Sequence, residues 1–323
     1  MSAPGTPGTA TAGFLPMTRA RSNLLLVFVA LIWGSAFVAQ AIANRSLGSL
    51  TFTGLRFALG AAVVAPFAWR EWRQLRARRR EPRPRDLLHI AGLGTLLFLG
   101  AAMQQVGMRT TTVTNAGFLT ALYIPLVPLL GWLVSRHAPH WTTWLAAAGC
   151  VAGSWLLAGG GSLAALRPGD WWIIASSLPW SLHVMLVGRA ADRLHGAMLV
   201  ACGQFVACSA WACVLGFATE PVTAQGVAQA LWPIAYTGVL SVGLGFTLQV
   251  VAQRHTRPAD SAIVLSSETV FTAGFGAALM GDRIGATGLA GCALILACVL
   301  VVQLQPIAWR WLADRRTRTS GAA

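Results

Sequence analysis

Charge is scarce in this sequence. Asp, Glu, Lys and Arg make up 11% of the 323 residues, against about 25% in a soluble domain, and lysine is absent altogether, so that all 24 basic side chains are arginine. With only 10 acidic residues the net charge is +14. That excess does not point to nucleic acid, because the arginines lie between apolar runs and no aromatic stacking platform is interleaved with them. Close cysteine and histidine spacing is missing too. The six cysteines, Cys150, Cys202, Cys208, Cys213, Cys292 and Cys298, all fall inside apolar runs, where they read as small hydrophobes rather than zinc ligands or a disulfide framework. There is no Gly-rich phosphate loop, no His-Glu-x-x-His helix and no Gly-x-Ser-x-Gly elbow, which argues against ATP hydrolysis, a metal or other cofactor, and an enzyme.

What the chain has instead is 55% hydrophobic residues, gathered in runs of about 17–25, the length that crosses a bilayer. The expected spans are 24–43, 50–69, 87–106, 113–134, 141–159, 171–188, 197–217, 231–250, 259–280 and 286–305, giving an all-α membrane protein of ten transmembrane helices. Residues 1–22, rich in Ala, Gly, Thr and Pro, read as a disordered tail, and 306–323 as a basic cytoplasmic tail. Arg19 and Arg21 ahead of an apolar run ending in Ala-Ile-Ala-Asn44 also resemble a cleavable signal peptide, but the run from Leu24 to Ala43 is longer than such a core.

Arginine sets the orientation. With the N-terminus inside, the inner loops and tails collect all but five arginines, among them the dense run from Arg70 to Arg85. The outer side holds Arg45, Arg109, Arg167 and Arg283, and Arg56 lies within a span. The positive-inside rule then places both termini in the cytoplasm, and the inner run faces anionic membrane lipid. Most tryptophans, including Trp69, Trp141, Trp171 and Trp309, fall at span ends as an interfacial belt requires. Trp33 and Trp180 do not.

The two halves repeat. Arg109 to Leu157 lies on Arg254 to Val302 at a constant offset of 145, Trp33 pairs with Trp180 at 147, and Arg56-Phe57 with Gln204-Phe205 at 148. Five spans per half is an odd number, so the second half enters from the opposite face, as two inverted five-helix repeats at 23–159 and 160–305. Many secondary transporters are built this way, with their site near the midplane between the repeats.

These features resemble the drug/metabolite transporter superfamily, specifically the ten-helix EamA-type exporters. The resemblance rests on Trp33-Gly34-Ser35-Ala36-Phe37, on Leu55-Arg56-Phe57, and on Ser267-Glu268-Thr269-Val270-Phe271 leading to Met280-Gly281-Asp282-Arg283-Ile284. The chain departs from that pattern at Thr269, where these exporters often carry proline, and at Asp282, where they often carry glutamate. His137 stands opposite Asp282 in the first repeat. The resemblance implies export of a small metabolite, amino acid or drug across the cytoplasmic (inner) membrane by alternating access, with protons as a candidate coupling ion; an integral membrane enzyme and a passive uniporter or channel are the alternatives.

Glu268 is the first candidate residue, because a carboxylate about nine residues into its helix, ~13 Å deep, costs about 2.5–3.5 kcal/mol to insert. It either titrates or binds a cationic group, or it joins two helices by a hydrogen bond or ion pair. Arg56, the other intramembrane charge, stands under ~10 Å from it in depth and either pairs, snorkels outward or meets substrate. Trp33 and Trp180 are candidate cavity walls that stack on flat or amphipathic substrates, or simple packing groups. His183, one turn from Trp180, is a candidate proton relay or a hydrogen-bonded packing group. Gln104, Tyr123, Gln249 and Ser267 complete the expected substrate cavity.

Overall fold

A computed structural model describes residues 18–136, 138–157 and 167–301. The expected tail 1–17, His137, the boundary between the repeats, the ends of the spans expected at 141–159 and 286–305, and the C-terminal basic tail with Trp309 lie outside the described residues. Among those described, every regular element is a helix. In chain order the longer ones are α1 Arg19–Ala43, α2 Ser49–Ala77, α3 Pro84–Gly107, α4 Val113–Val134, α5 Trp141–Leu157, α6 Pro168–Leu194, α7 Ala197–Thr219, α8 Leu231–Gln253, α9 Pro258–Met280 and α10 Ala286–Val301, and a short helix, Ala224–Gln229, precedes α8. Eight of these are long and apolar enough to cross a membrane, whereas α5 and α10 are shorter. The protein is a multi-pass membrane protein, and its outer surface agrees: Leu88, Leu133, Val214 and Leu279 are each more than 60% exposed, an arrangement suited to hydrocarbon rather than water.

Several helix starts share one piece of chemistry. The sequence Arg-Pro-x-Asp recurs at Arg83, Arg167 and Arg257, and each time the proline is the first helical residue. Proline has no N–H to leave unpaired there, and the aspartate two residues on adds negative charge to the helix N-terminus. Asp86 accepts from Arg83 N at 2.9 Å and Asp170 from Arg167 N at 2.8 Å. α1 starts at Arg19, with the Thr18 hydroxyl accepting from Arg21 N, so the helix takes in residues 19–22 of the expected tail.

Two of the long helices are broken, at equivalent places. In α4 the turn at Ala121 and Leu122 is closed by Ile124 N donating to Ala121 O, and in α9 the turn at Ser266 by Thr269 N donating to Ser266 O. The two bonds are related by the same offset of 145 that aligns the halves. In α4 the cause is Pro125, which lacks the N–H that would reach Ala121 O and whose ring crowds that carbonyl. In α9 no proline is present, and hydroxyls do the work: Ser266 donates to Ile263 O, Ser267 to Val264 O and Thr269 to Ser266 O. Such back-bonding competes with the helical ladder and bends it. Thr269, the departure from the family pattern, thus keeps the break by a different device.

Packing relies on close approach, because apolar burial alone does not drive helices together in lipid. A Cβ on Gly34 would lie 2.6 Å from Phe271 Cβ and 2.8 Å from Thr272 N, so the glycine of the Trp-Gly-Ser segment is where α1 crosses α9. Past α9 the chain turns at Gly281, whose φ of 76° suits a residue without Cβ. The buried side chains divide into two main clusters. One holds Leu26, Tyr123, Cys150, Ile263 and Ile295; the other holds Phe57, Leu97, Val200, Phe205 and Val250. Trp33 and Trp180 pack against both.

α2 and α7 run antiparallel and cap each other. Glu220, just past the end of α7, accepts from Leu50 N, Thr51 N and Thr51 Oγ1 at 2.8–3.0 Å. Glu71, near the end of α2, accepts from Leu199 N at 2.8 Å. Each carboxylate therefore sits at the positive end of the other helix.

Candidate functional site

At the seam between the two clusters lies a cavity of about 40 Å³, room for a few water molecules in this conformation. α1, α2, α3, α4, α6, α8 and α9 contribute its lining; among the described residues α5, α7 and α10 contribute none. Seven of the nine residues expected from the sequence line it: Trp33, Arg56, Gln104, Tyr123, Trp180, Gln249 and Glu268. Residues separated by more than 230 positions are thus brought to one space.

The two charges are both buried, Arg56 at 4% and Glu268 at 8% exposure. Among the described residues neither takes part in an ion pair within 4 Å. The Arg56 guanidinium lies 5.3 Å from the ring centroids of both Phe52 and Phe57, a cation–π arrangement, and its Nε has no hydrogen-bond partner. Glu268 is held at the start of the second segment of α9, where Thr272 Oγ1 donates to its backbone carbonyl at 2.8 Å and its carboxylate is left to the cavity. Trp180 Nε1, Gln249 Oε1 and Gln40 Oε1 are likewise buried without partners. Buried polar atoms are normally satisfied, so these four leave the cavity wall able to bond a polar ligand or water.

The aromatic wall has a centre that the sequence did not single out. Phe246 stands 4.5 Å from Trp33, 5.9 Å from Trp180 in a nearly parallel stack, 5.8 Å from Phe57 and 6.2 Å from Phe205. It is presented by a π-helical stretch of α8, Thr237–Phe246, a wider winding that is often found at functional sites. The Trp33 indole donates to Ser241 O in that stretch at 3.2 Å. A Cβ on Gly245 would approach Trp33 Nε1 to 2.8 Å. Glycine there is what lets the indole reach the carbonyl. The cue in the sequence was the run Gly238, Gly243 and Gly245 ahead of Phe246.

Two expected residues stand away from the cavity. His183 is fully buried behind Trp180, with Nε2 hydrogen-bonded to Gln204 Oε1 at 2.8 Å and Nδ1 without a partner. Ser267 turns back onto Val264 O. Gln104 lines the cavity while its amide donates to Thr120 Oγ1 at 2.8 Å. Tyr123 directs its hydroxyl toward Ala262 O at 3.5 Å.

A bundle of apolar helices around a central amphipathic cavity is an architecture that membrane transporters use. The comparisons agree: the EamA-like transporter family model matches twice, over residues 20–159 and 167–304. The chain belongs to that family, within the drug/metabolite transporter superfamily, and is a transmembrane transporter. It is similar to an uncharacterized transporter of Archaeoglobus fulgidus, at 26% identity over 287 residues, 89% of this chain and 87% of that protein. A crystal structure of a protein 19% identical in sequence superposes with a TM-score of 0.70 over 89% of this chain and 99% of its own, a likeness of fold.

Proposed function

We propose that this protein is a secondary exporter of small amphipathic metabolites, with amino acids as the leading class, in the cytoplasmic membrane. In this reading all ten helices span, in two inverted repeats with both termini cytoplasmic, and the repeats rock about the central cavity. The observation that carries the proposal is the pair Arg56 and Glu268, buried on one aromatic-walled cavity and not ion-paired with each other. A zwitterion answers that arrangement: its carboxylate meets the Arg56 guanidinium, its ammonium meets Glu268, and its apolar part lies on Trp33, Phe246 and Trp180. Glu268 also supplies an acid that takes up or releases a proton when the cavity changes sides, so an inward proton gradient drives export.

Reconstitution in liposomes tests this, with an amino-acid and metabolite panel measured with and without a pH gradient. Gradient-driven accumulation in the wild type that Glu268→Gln abolishes while sparing downhill flux supports proton coupling through Glu268. Arg56→Gln is expected to raise KM for carboxylate-bearing substrates at least tenfold, the equivalent of about 1.4 kcal/mol. Gradient-driven transport that survives Glu268→Gln unchanged removes Glu268 from the coupling, and electrogenic flux without saturation assigns the protein to the channels.

A further inference from the structure

Outside the central cavity lies a groove of about 520 Å³ between α3 and α6. Its apolar part is made by Leu88, Gly92, Leu93, Leu96 and Leu186. Leu88 is 73% exposed and Leu186 40%, on helices that are apolar enough to span, so this part of the groove opens toward hydrocarbon. Its other end carries Arg189 and Arg193, which lie four residues apart and so share one face of α6. There it runs into a second hollow lined by Arg79, Arg80 and Arg83 from the α2–α3 connection; the two share Asp86, Arg193 and Leu194.

The charge at that end is unbalanced. Arg193 pairs with Asp86 at 3.4 Å and Glu81 is taken by Arg76 at 3.3 Å. Arg79, Arg80, Arg83 and Arg189 form no ion pair among the described residues. A trough with an oily floor that ends in several uncompensated guanidinium groups at the membrane surface has the polarity of one molecule, a phospholipid with an anionic headgroup. Guanidinium groups bind phosphate oxygens in paired hydrogen bonds, and basic pockets between membrane helices recognise anionic headgroups.

We infer that the α3–α6 groove is a binding site for an anionic phospholipid, with an acyl chain along Leu88, Gly92, Leu96 and Leu186 and the headgroup phosphate held by Arg189 and Arg193 with the α2–α3 arginines. The occupant comes from the bilayer. It is distinct from the transported solute, since no residue of the groove lines the central cavity.

The test uses delipidated full-length protein in a neutral detergent, titrated with phosphatidylglycerol, phosphatidylcholine or free glycerol phosphate, with bound lipid read by native mass spectrometry. Phosphatidylglycerol is expected to bind at least tenfold tighter than phosphatidylcholine. Arg189→Gln is expected to weaken it about fivefold, and Arg189→Gln with Arg193→Gln about 25-fold, from about 1 kcal/mol for each arginine at the surface. Gly92→Trp closes the oily part. A Cβ at this position meets no atom within 4 Å, so the variant is expected to keep its thermal stability while losing phosphatidylglycerol. Equal binding of the two lipids, or undiminished phosphatidylglycerol binding in either arginine variant or in Gly92→Trp, overturns the proposal. Displacement of the lipid by glycerol phosphate at matching concentration also overturns it, by assigning the arginines to a free anion.

Discussion

Removing the Glu220 carboxylate tests whether the antiparallel pair α2 and α7 is locked by its reciprocal caps. Glu220→Ala strips Leu50 N and Thr51 N of their acceptor and frees the Thr51 hydroxyl. Loss of an N-terminal cap costs about 1–2 kcal/mol, and loss of the negative charge at the helix N-terminus about 0.3–1 kcal/mol more, giving ~2 kcal/mol. For a chain of this length each kcal/mol moves the melting temperature by about 2 °C, so a fall of ~4 °C is expected in a thermal unfolding assay on protein in detergent or nanodiscs. Glu71→Ala removes the acceptor of Leu199 N, and its effect is expected to be about half as large. The two caps lie at opposite ends of α2, some 20 residues and hence ~30 Å apart, so the double variant should show the sum of the two effects. A melting temperature unchanged in Glu220→Ala, or a double variant no worse than the single, would refute the reciprocal-cap reasoning.

Two further substitutions test the helix geometry. Gly34→Val places a side chain where even a Cβ is 2.8 Å from Thr272 N, so α1 and α9 must separate; a loss of about 1–3 kcal/mol is expected, seen as lowered melting temperature and lost transport, and a normal variant would contradict the crossing at Gly34. Thr269→Pro is expected to fold and transport, because Thr269 lies in the first turn of the segment after the break, where proline is tolerated; Phe271→Pro, two residues further into that segment, is expected not to. Equal failure of both in a fluorescence-detected folding assay would show that the hydroxyl bonds, and not the break itself, are what α9 requires.

The helices were legible in the sequence, and so were half of the fourteen residues that line the candidate cavity. Apolar runs bounded by Arg-Pro and Gly positions fix where the backbone must satisfy itself internally, and within the described residues each expected span falls on a helix. The mid-span polar residues were visible for the same reason, since a buried charge such as Glu268 or Arg56 contrasts sharply with its surroundings. The repeat was visible too, although the equivalent breaks at Ala121 and Ser266 were not. What a residue faces was not. His183 and Trp180 share a stretch of α6, yet one binds Gln204 and the other the cavity, because helix rotation is set by neighbouring helices and not by local pattern. Phe246 was hidden among 13 phenylalanines, and its place at the centre of the aromatic wall depends on the π-helical winding of α8 against Trp33. Glu71 and Glu220 acquire their capping role only because α2 and α7 lie antiparallel. Hydropathy and covalent backbone chemistry thus decided the elements, while rotation, close approach and long-range capping, which depend on which helix lies beside which, were decided only by the tertiary structure.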